Sequence, residues 1–75
     1  MKYSPKLIGK LVQQTRKSMG LTQKDLALTS GTGLRFIGDL EKGKFTCQLG
    51  KVLTVLHTLG IQIIMTPPPM VIREK

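Results

Sequence analysis

Residues 21–44, LTQKDLALTSGTGLRFIGDLEKGK, decide the fold. Thr22 can accept from the backbone N–H of Lys24 or Asp25 and so start a helix, and Asp25 can reach back to it as in a capping box. Leu26 and Ala27 face inward, and Ala27 is small enough for the next helix to come close. Thr29-Ser30-Gly31 reads as a turn, with Gly31 where a positive φ is needed. Thr32 or Gly33 then opens a second short helix that runs to about Lys42 and stops at Gly43. Ile37 and Leu40 give its buried side, with Phe36 beside them as a core residue. Gly38 in its middle is unfavourable by about 1 kcal/mol relative to Ala; a close backbone approach, to DNA or to another helix, explains that tolerance.

Two short helices joined by such a turn are the sequence form of a helix-turn-helix, a unit that lays its second helix in the DNA major groove. Upstream, Ser4 caps a helix that has Pro5 in its first position and runs to about Ser18. Leu7, Ile8, Leu11, Val12 and Thr15 form its buried stripe, and Met19-Gly20 ends it. Downstream, Thr46 caps a helix to about Leu59 with Leu49, Val52, Leu53, Leu56 and Leu59 at helical spacing, and Gly60 ends it. Residues 61–66 read as a short strand. One strand in a helical chain has no partner, and its backbone groups need pairing. The simplest solution is the same strand of a second subunit, with Ile61, Ile63, Ile64 and Met65 as dimerisation residues. Pro67-Pro68-Pro69 halts any sheet and imposes an extended spacer, and Met70–Lys75 reads as a mobile tail. The expected organisation is one domain over residues 1–66 and a Pro-rich flexible tail over 67–75.

Twelve Lys and Arg stand against four Asp and Glu in 75 residues, for a net charge of +8 and a pI near 10.2. That balance favours a polyanionic partner. A core of this size is marginal without added burial, which again favours a dimer. Cys47 is the only cysteine, so no disulfide forms within the chain, and Cys47 with His57 are too few soft ligands for structural zinc. The lone thiol fits a reducing compartment. No long apolar run follows Met1–Lys6, and the longest apolar stretch, 61–65, is far too short to span a bilayer. The expectation is a cytoplasmic protein with no membrane partner and no cofactor. The few carboxylates, His57 and Cys47 form no recognisable catalytic pair, and Gly31-Thr32-Gly33 follows no strand, so it is a turn and cap rather than a phosphate cradle. No enzymatic activity is expected; His57 fits a core or dimer edge.

Leu21-Thr22-Gln23, Leu26-Ala27, Gly31, Ile37, Leu40-Glu41 and Gly43-Lys44 resemble the Cro/C1-type (XRE) helix-turn-helix family. With Arg16 upstream and Val52-Leu53 to Leu59-Gly60 downstream, the likeness covers roughly residues 5–65. It implies a mostly α, four- to five-helix lambda-repressor-like domain. Within the family, the run from Arg35-Phe36-Ile37 to Glu41-Lys42-Gly43-Lys44, the leucine-rich helix and the terminal strand are similar to antitoxins of HipB type. Those proteins dimerise through a paired C-terminal strand, repress their own operon and are encoded beside a HipA-like kinase toxin. The resemblance therefore implies a DNA-binding repressor that acts as an antitoxin. A plain phage-type or housekeeping repressor, or a module that neutralises a toxin mainly by direct contact, are the alternatives.

The resemblance also implies roles. Thr22 and Gln23 lie at the start of the first helix of the motif, where family members meet the DNA backbone. A side-chain amide and helix N-terminal N–H groups hold a phosphate there. Gly33, Leu34, Arg35, Gly38 and Asp39 match base-facing positions. Arg35 suits a bidentate pair with guanine, or else a phosphate contact, and Leu34 suits a thymine methyl. Asp39 departs from the polar or basic residues of many relatives. A carboxylate there is repelled by phosphate unless it accepts from cytosine N4 or orients Arg35. Lys42 and Lys44 fit phosphates beyond the helix end. Arg16 and Glu41 match a partly buried ion pair that joins the first helix to the end of the third.

Overall fold

Ser4 opens the first helix by accepting the Leu7 N–H on its Oγ at 3.1 Å, and Pro5 occupies the first helical position, where no N–H is required. The structure, a computed structural model, describes residues 4–69. Four α-helices lie among them: α1 Pro5–Ser18, α2 Gln23–Ser30, α3 Leu34–Glu41 and α4 Leu49–Thr58. Helix α3 packs on both α2 and α1, and α4 closes the other side against α2.

The α2 start is a complete capping box: Thr22 Oγ1 accepts the Asp25 N–H at 3.0 Å and Asp25 Oδ2 accepts the Thr22 N–H at 2.9 Å. The α2 end differs from the expected turn. Thr29 and Ser30 are still helical, and Gly31 alone turns the chain, with φ of 71°. Ser30 is held in the last helical turn because its Oγ donates to Leu26 O at 2.7 Å. Gly33 then serves as the α3 N-cap and Lys42 as its C-cap.

Val12, Leu26, Ala27, Ile37, Leu40, Val55, Leu56 and Leu59 form the buried core, with Ile8, Leu21, Phe36, Cys47, Val52 and Ile61 packed against it. Lys51 of α4 lies 5.8 Å above the Phe36 ring, a cation–π contact that ties α4 to α3. The α1 stripe is rotated from the expected one. Leu7 and Leu11 are 50% and 45% exposed, and the buried residues are Gly9, Val12 and Arg16. Gly9 causes the rotation: its missing side chain lets the backbone at Leu40 and Glu41 rest directly on α1.

Other expectations are corrected in the same way. Thr46 does not cap α4. It lies in a turn, Cys47 packs on the core, and the helix starts at Leu49 behind Gln48, with no side-chain cap bond. Leu49 and Leu53 are exposed while Val55 is buried. His57 is exposed. Among the described residues nothing lies within 4 Å of where a Gly38 side chain would be; the close helix approach belongs to Gly9. The short strand expected over residues 61–66 is not observed: residues 61–68 follow α4 without regular secondary structure. The tail expected over Met70–Lys75 lies outside the described residues.

Candidate nucleic-acid interface

The helix-turn-helix is braced from beneath by Arg16. Its Nε donates to Glu41 Oε2 at 2.7 Å, its Nη2 to Glu41 Oε1 at 3.0 Å, and its Nη1 to Leu21 O at 2.8 Å. One guanidinium thus joins the end of α1, the residue just before the Thr22 cap, and the end of α3. The two side chains are only 8% and 2% exposed. Gln23 completes the network by donating from Nε2 to Glu41 Oε1 at 3.0 Å. No buried side-chain N or O among the described residues lacks a partner.

This geometry fixes Gln23. One amide hydrogen is directed at Glu41, which leaves the second hydrogen of Nε2 available at the start of α2. The backbone N–H groups of Gln23 and Lys24 also have no partner among the described residues, as expected in the first helical turn. Sequence reasoning missed the Gln23–Glu41 bond. It joins residues 18 apart in sequence, a separation that helical periodicity cannot reveal.

Burial pushes the Glu41 carboxyl upward, but hydrogen bonds from Arg16 and Gln23, with the charges of Arg16 and Lys17, outweigh it and leave its pKa below the ordinary value near 4.5. Hydrogen bonds from the Thr22 backbone and hydroxyl likewise lower the Asp25 carboxyl. A folded-state pKa below the unfolded one means that the unfolded chain takes up the proton first as the pH falls. The contribution is fully present above the unfolded value and is lost as the pH drops through the lower, folded value. We expect the urea midpoint to hold from neutral pH to about 5 and then fall, and Glu41→Gln to make that acid decline shallower. A variant with the parent's acid profile would place the titration elsewhere.

The outward face of α3 carries the residues singled out in the sequence. Leu34 and Arg35 are exposed, and Gly38 and Asp39 are half-buried. Arg35 has no ion-pair partner among the described residues. Thr22, Gly33, Lys42 and Lys44 are exposed, although Thr22 Oγ1 is engaged in the capping box. Asp39 pairs with Lys44 Nζ at 3.4 Å, not with Arg35. Exposed Lys24, Lys42 and Lys44 flank this face.

On another face, Ile8, Leu11 and Leu56 with residues 61–65 line an apolar groove of about 490 Å³. Ile61 is half-buried at its edge, whereas Ile64 and Met65 are 83% and 86% exposed. No helix among the described residues is long and apolar enough to cross a membrane.

The arrangement can present to a polyanion a helix face that carries Arg35 and is flanked by the exposed Lys24, Lys42 and Lys44. A protein of Sinorhizobium fredii named as an uncharacterized HTH-type transcriptional regulator is 54% identical over 65 residues, covering 87% of this chain and 86% of that protein. No protein-family model matches the chain.

Proposed function

The chain belongs to the HTH-type transcriptional regulators, and from that premise we propose that it is a sequence-specific repressor of the Cro/C1 (XRE) type, acting as a cytoplasmic homodimer on an operator of double-stranded DNA. The observation that carries this reading is the outward face of α3. Leu34, Arg35, Gly38 and Asp39 stand there on a helix clamped to α1 and α2 through Arg16 and Glu41, in a chain of net charge +8. Arg35 reads a base edge, Leu34 meets a thymine methyl, and Gln23, Thr22, Lys42 and Lys44 hold phosphates. Gly33 and Gly38 keep the helix surface low.

The apolar edge supports the homodimer. Ile61, Ile63, Ile64 and Met65 line or adjoin a groove that the described residues leave open. Strand pairing of this segment across a two-fold axis would satisfy its backbone and cover those side chains. The two α3 helices then meet half-sites about 34–36 Å apart on one face of the duplex. The likeness of residues 35–66 to HipB-type antitoxins supports a further step, in which the protein represses its own operon and counteracts a HipA-like kinase encoded beside it. In this organisation residues 1–66 form the domain and 67–75 the tail.

A gel shift with the DNA upstream of its own gene tests the reading. Arg35→Ala is expected to weaken binding by about tenfold or more, as for loss of a bidentate base contact. Lys42→Ala should weaken all duplexes evenly and reduce the salt slope by about 1. Unchanged affinity in both variants would remove α3 from the interface. A kinase-like gene next to this one, whose product binds the protein, would carry the antitoxin step; a neighbourhood without one would leave a plain repressor.

A further inference from the structure

Asp25, Asp39 and Glu41 are the acidic residues among those described. Asp25 is occupied by the α2 capping box, and Glu41 by Arg16 and Gln23. Asp39 has no such structural task. Its one partner is the exposed Lys44 ammonium at 3.4 Å, beyond the end of α3, and its own side chain is 33% exposed. That distance is at the weak limit of a hydrogen bond. Asp39 also sits one helical turn beyond Arg35 on the same outward face, a spacing at which an Arg–Asp pair could form, yet its carboxylate is turned to Lys44.

A carboxylate on this face opposes binding to any duplex, because every phosphate repels it. Among the base edges of the major groove, cytosine N4 offers a donor with no acceptor beside it on the same base. Adenine N6 has the N7 acceptor beside it, and guanine and thymine offer acceptors and a methyl group.

We propose that Asp39 is a specificity-determining residue of the α3 face, accepting a hydrogen bond from cytosine N4 in the operator and disfavouring duplexes that lack cytosine at that position. Lys44 holds the carboxylate in the free protein and turns to a phosphate in the complex, while the Arg35 guanidinium stays free for its own contact. This inference rests on the DNA-binding reading above.

Site selection from a pool of randomised duplexes, with the full chain and its Asp39→Asn, Asp39→Ser and Lys44→Ala variants, tests it. Circular dichroism should give all four proteins closely similar helix content, since neither residue belongs to the core. The parent should enrich a motif with a fixed cytosine whose replacement by thymine weakens binding about tenfold. Both Asp39 variants should lose that preference, Asp39→Asn exchanging it for adenine, and should bind sheared genomic DNA severalfold more tightly than the parent. Lys44→Ala should keep the cytosine while binding all DNA more weakly. The same cytosine dependence in both Asp39 variants would overturn the role of Asp39 and leave the DNA-binding reading standing. A parent that enriches no motif would overturn both.

Discussion

Arg16→Ala is expected to lower stability by about 3–5 kcal/mol, because it strands the Glu41 carboxylate without its counter-ion. The Glu41 side chain is only 2% exposed, so water cannot replace the lost guanidinium. Leu21 O loses its donor as well, and an orphaned carbonyl adds its own penalty. For a domain of 60–100 residues, each kcal/mol lowers Tm by about 4–8 °C, so melting should fall by more than about 12 °C. Small domains have only about 5–15 kcal/mol to lose. DNA affinity should fall with stability, since the same network holds Gln23 at the start of α2. Arg16→Lys keeps the charge but not the planar fork that bonds both Glu41 oxygens, and should lie between the parent and Arg16→Ala. A double replacement, Arg16→Met with Glu41→Met, removes both charges and should recover much of the loss. The unrecovered part reports Leu21 O and the Gln23 amide. An Arg16→Ala protein with the parent's melting curve and affinity would show that the pair contributes neither brace nor alignment.

The elements defined by local chemistry were legible in the sequence. Ser4 with Pro5, Thr22 with Asp25, and Gly31 each fix a helix end through atoms within four residues, and their expected roles match the observed caps. Thr46 was not readable in this way. A candidate cap works only if the chain around it stays free to become helical, and here Cys47 packs on the core. The α1 stripe was misread for a related reason. Periodicity assigns the apolar side chains Leu7 and Leu11 to the core, but the contact that sets the roll of α1 is made by Gly9, which has no side chain to score. Within the candidate site, the positions proposed along α3 come from the family resemblance rather than from spacing, and their couplings were not readable from either. Gln23 meets Glu41 across 18 residues, and Asp39 turns to Lys44 rather than to Arg35. Those pairings depend on the angle between helices, which is a product of the whole core.

The Leu40 and Glu41 carbonyls rest where a Gly9 side chain would be, and this makes Gly9→Ala the sharpest packing test of the fold. A Cβ at Gly9 would overlap the Leu40 carbonyl oxygen and meet the Glu41 oxygen at 3.0 Å. Both are backbone atoms in the last turn of α3, so no rotamer change relieves the overlap and α1 must move away from α3. Overpacking of this kind typically costs about 1–3 kcal/mol, occasionally more, and relief by backbone movement puts Gly9→Ala at the upper end. It outweighs the roughly 1 kcal/mol that alanine gains over glycine in a helix interior. A drop in Tm of about 8 °C or more is expected, with weaker DNA binding, because Glu41 and its bonds to Arg16 and Gln23 move with the α3 end. Gly38→Ala is the matched comparison. It makes the same chemical change inside α3 itself, and a Cβ there meets nothing within 4 Å. Only the propensity gain applies, so melting should rise by about 4–8 °C. If the outward face of α3 enters a groove, the same methyl should weaken DNA binding in a protein that has become more stable. Losses of stability and of affinity would then coincide at Gly9 and separate at Gly38. Equal melting of the two variants would mean that α1 does not bear on the Leu40 and Glu41 carbonyls, and α3 would need a different anchor for its orientation.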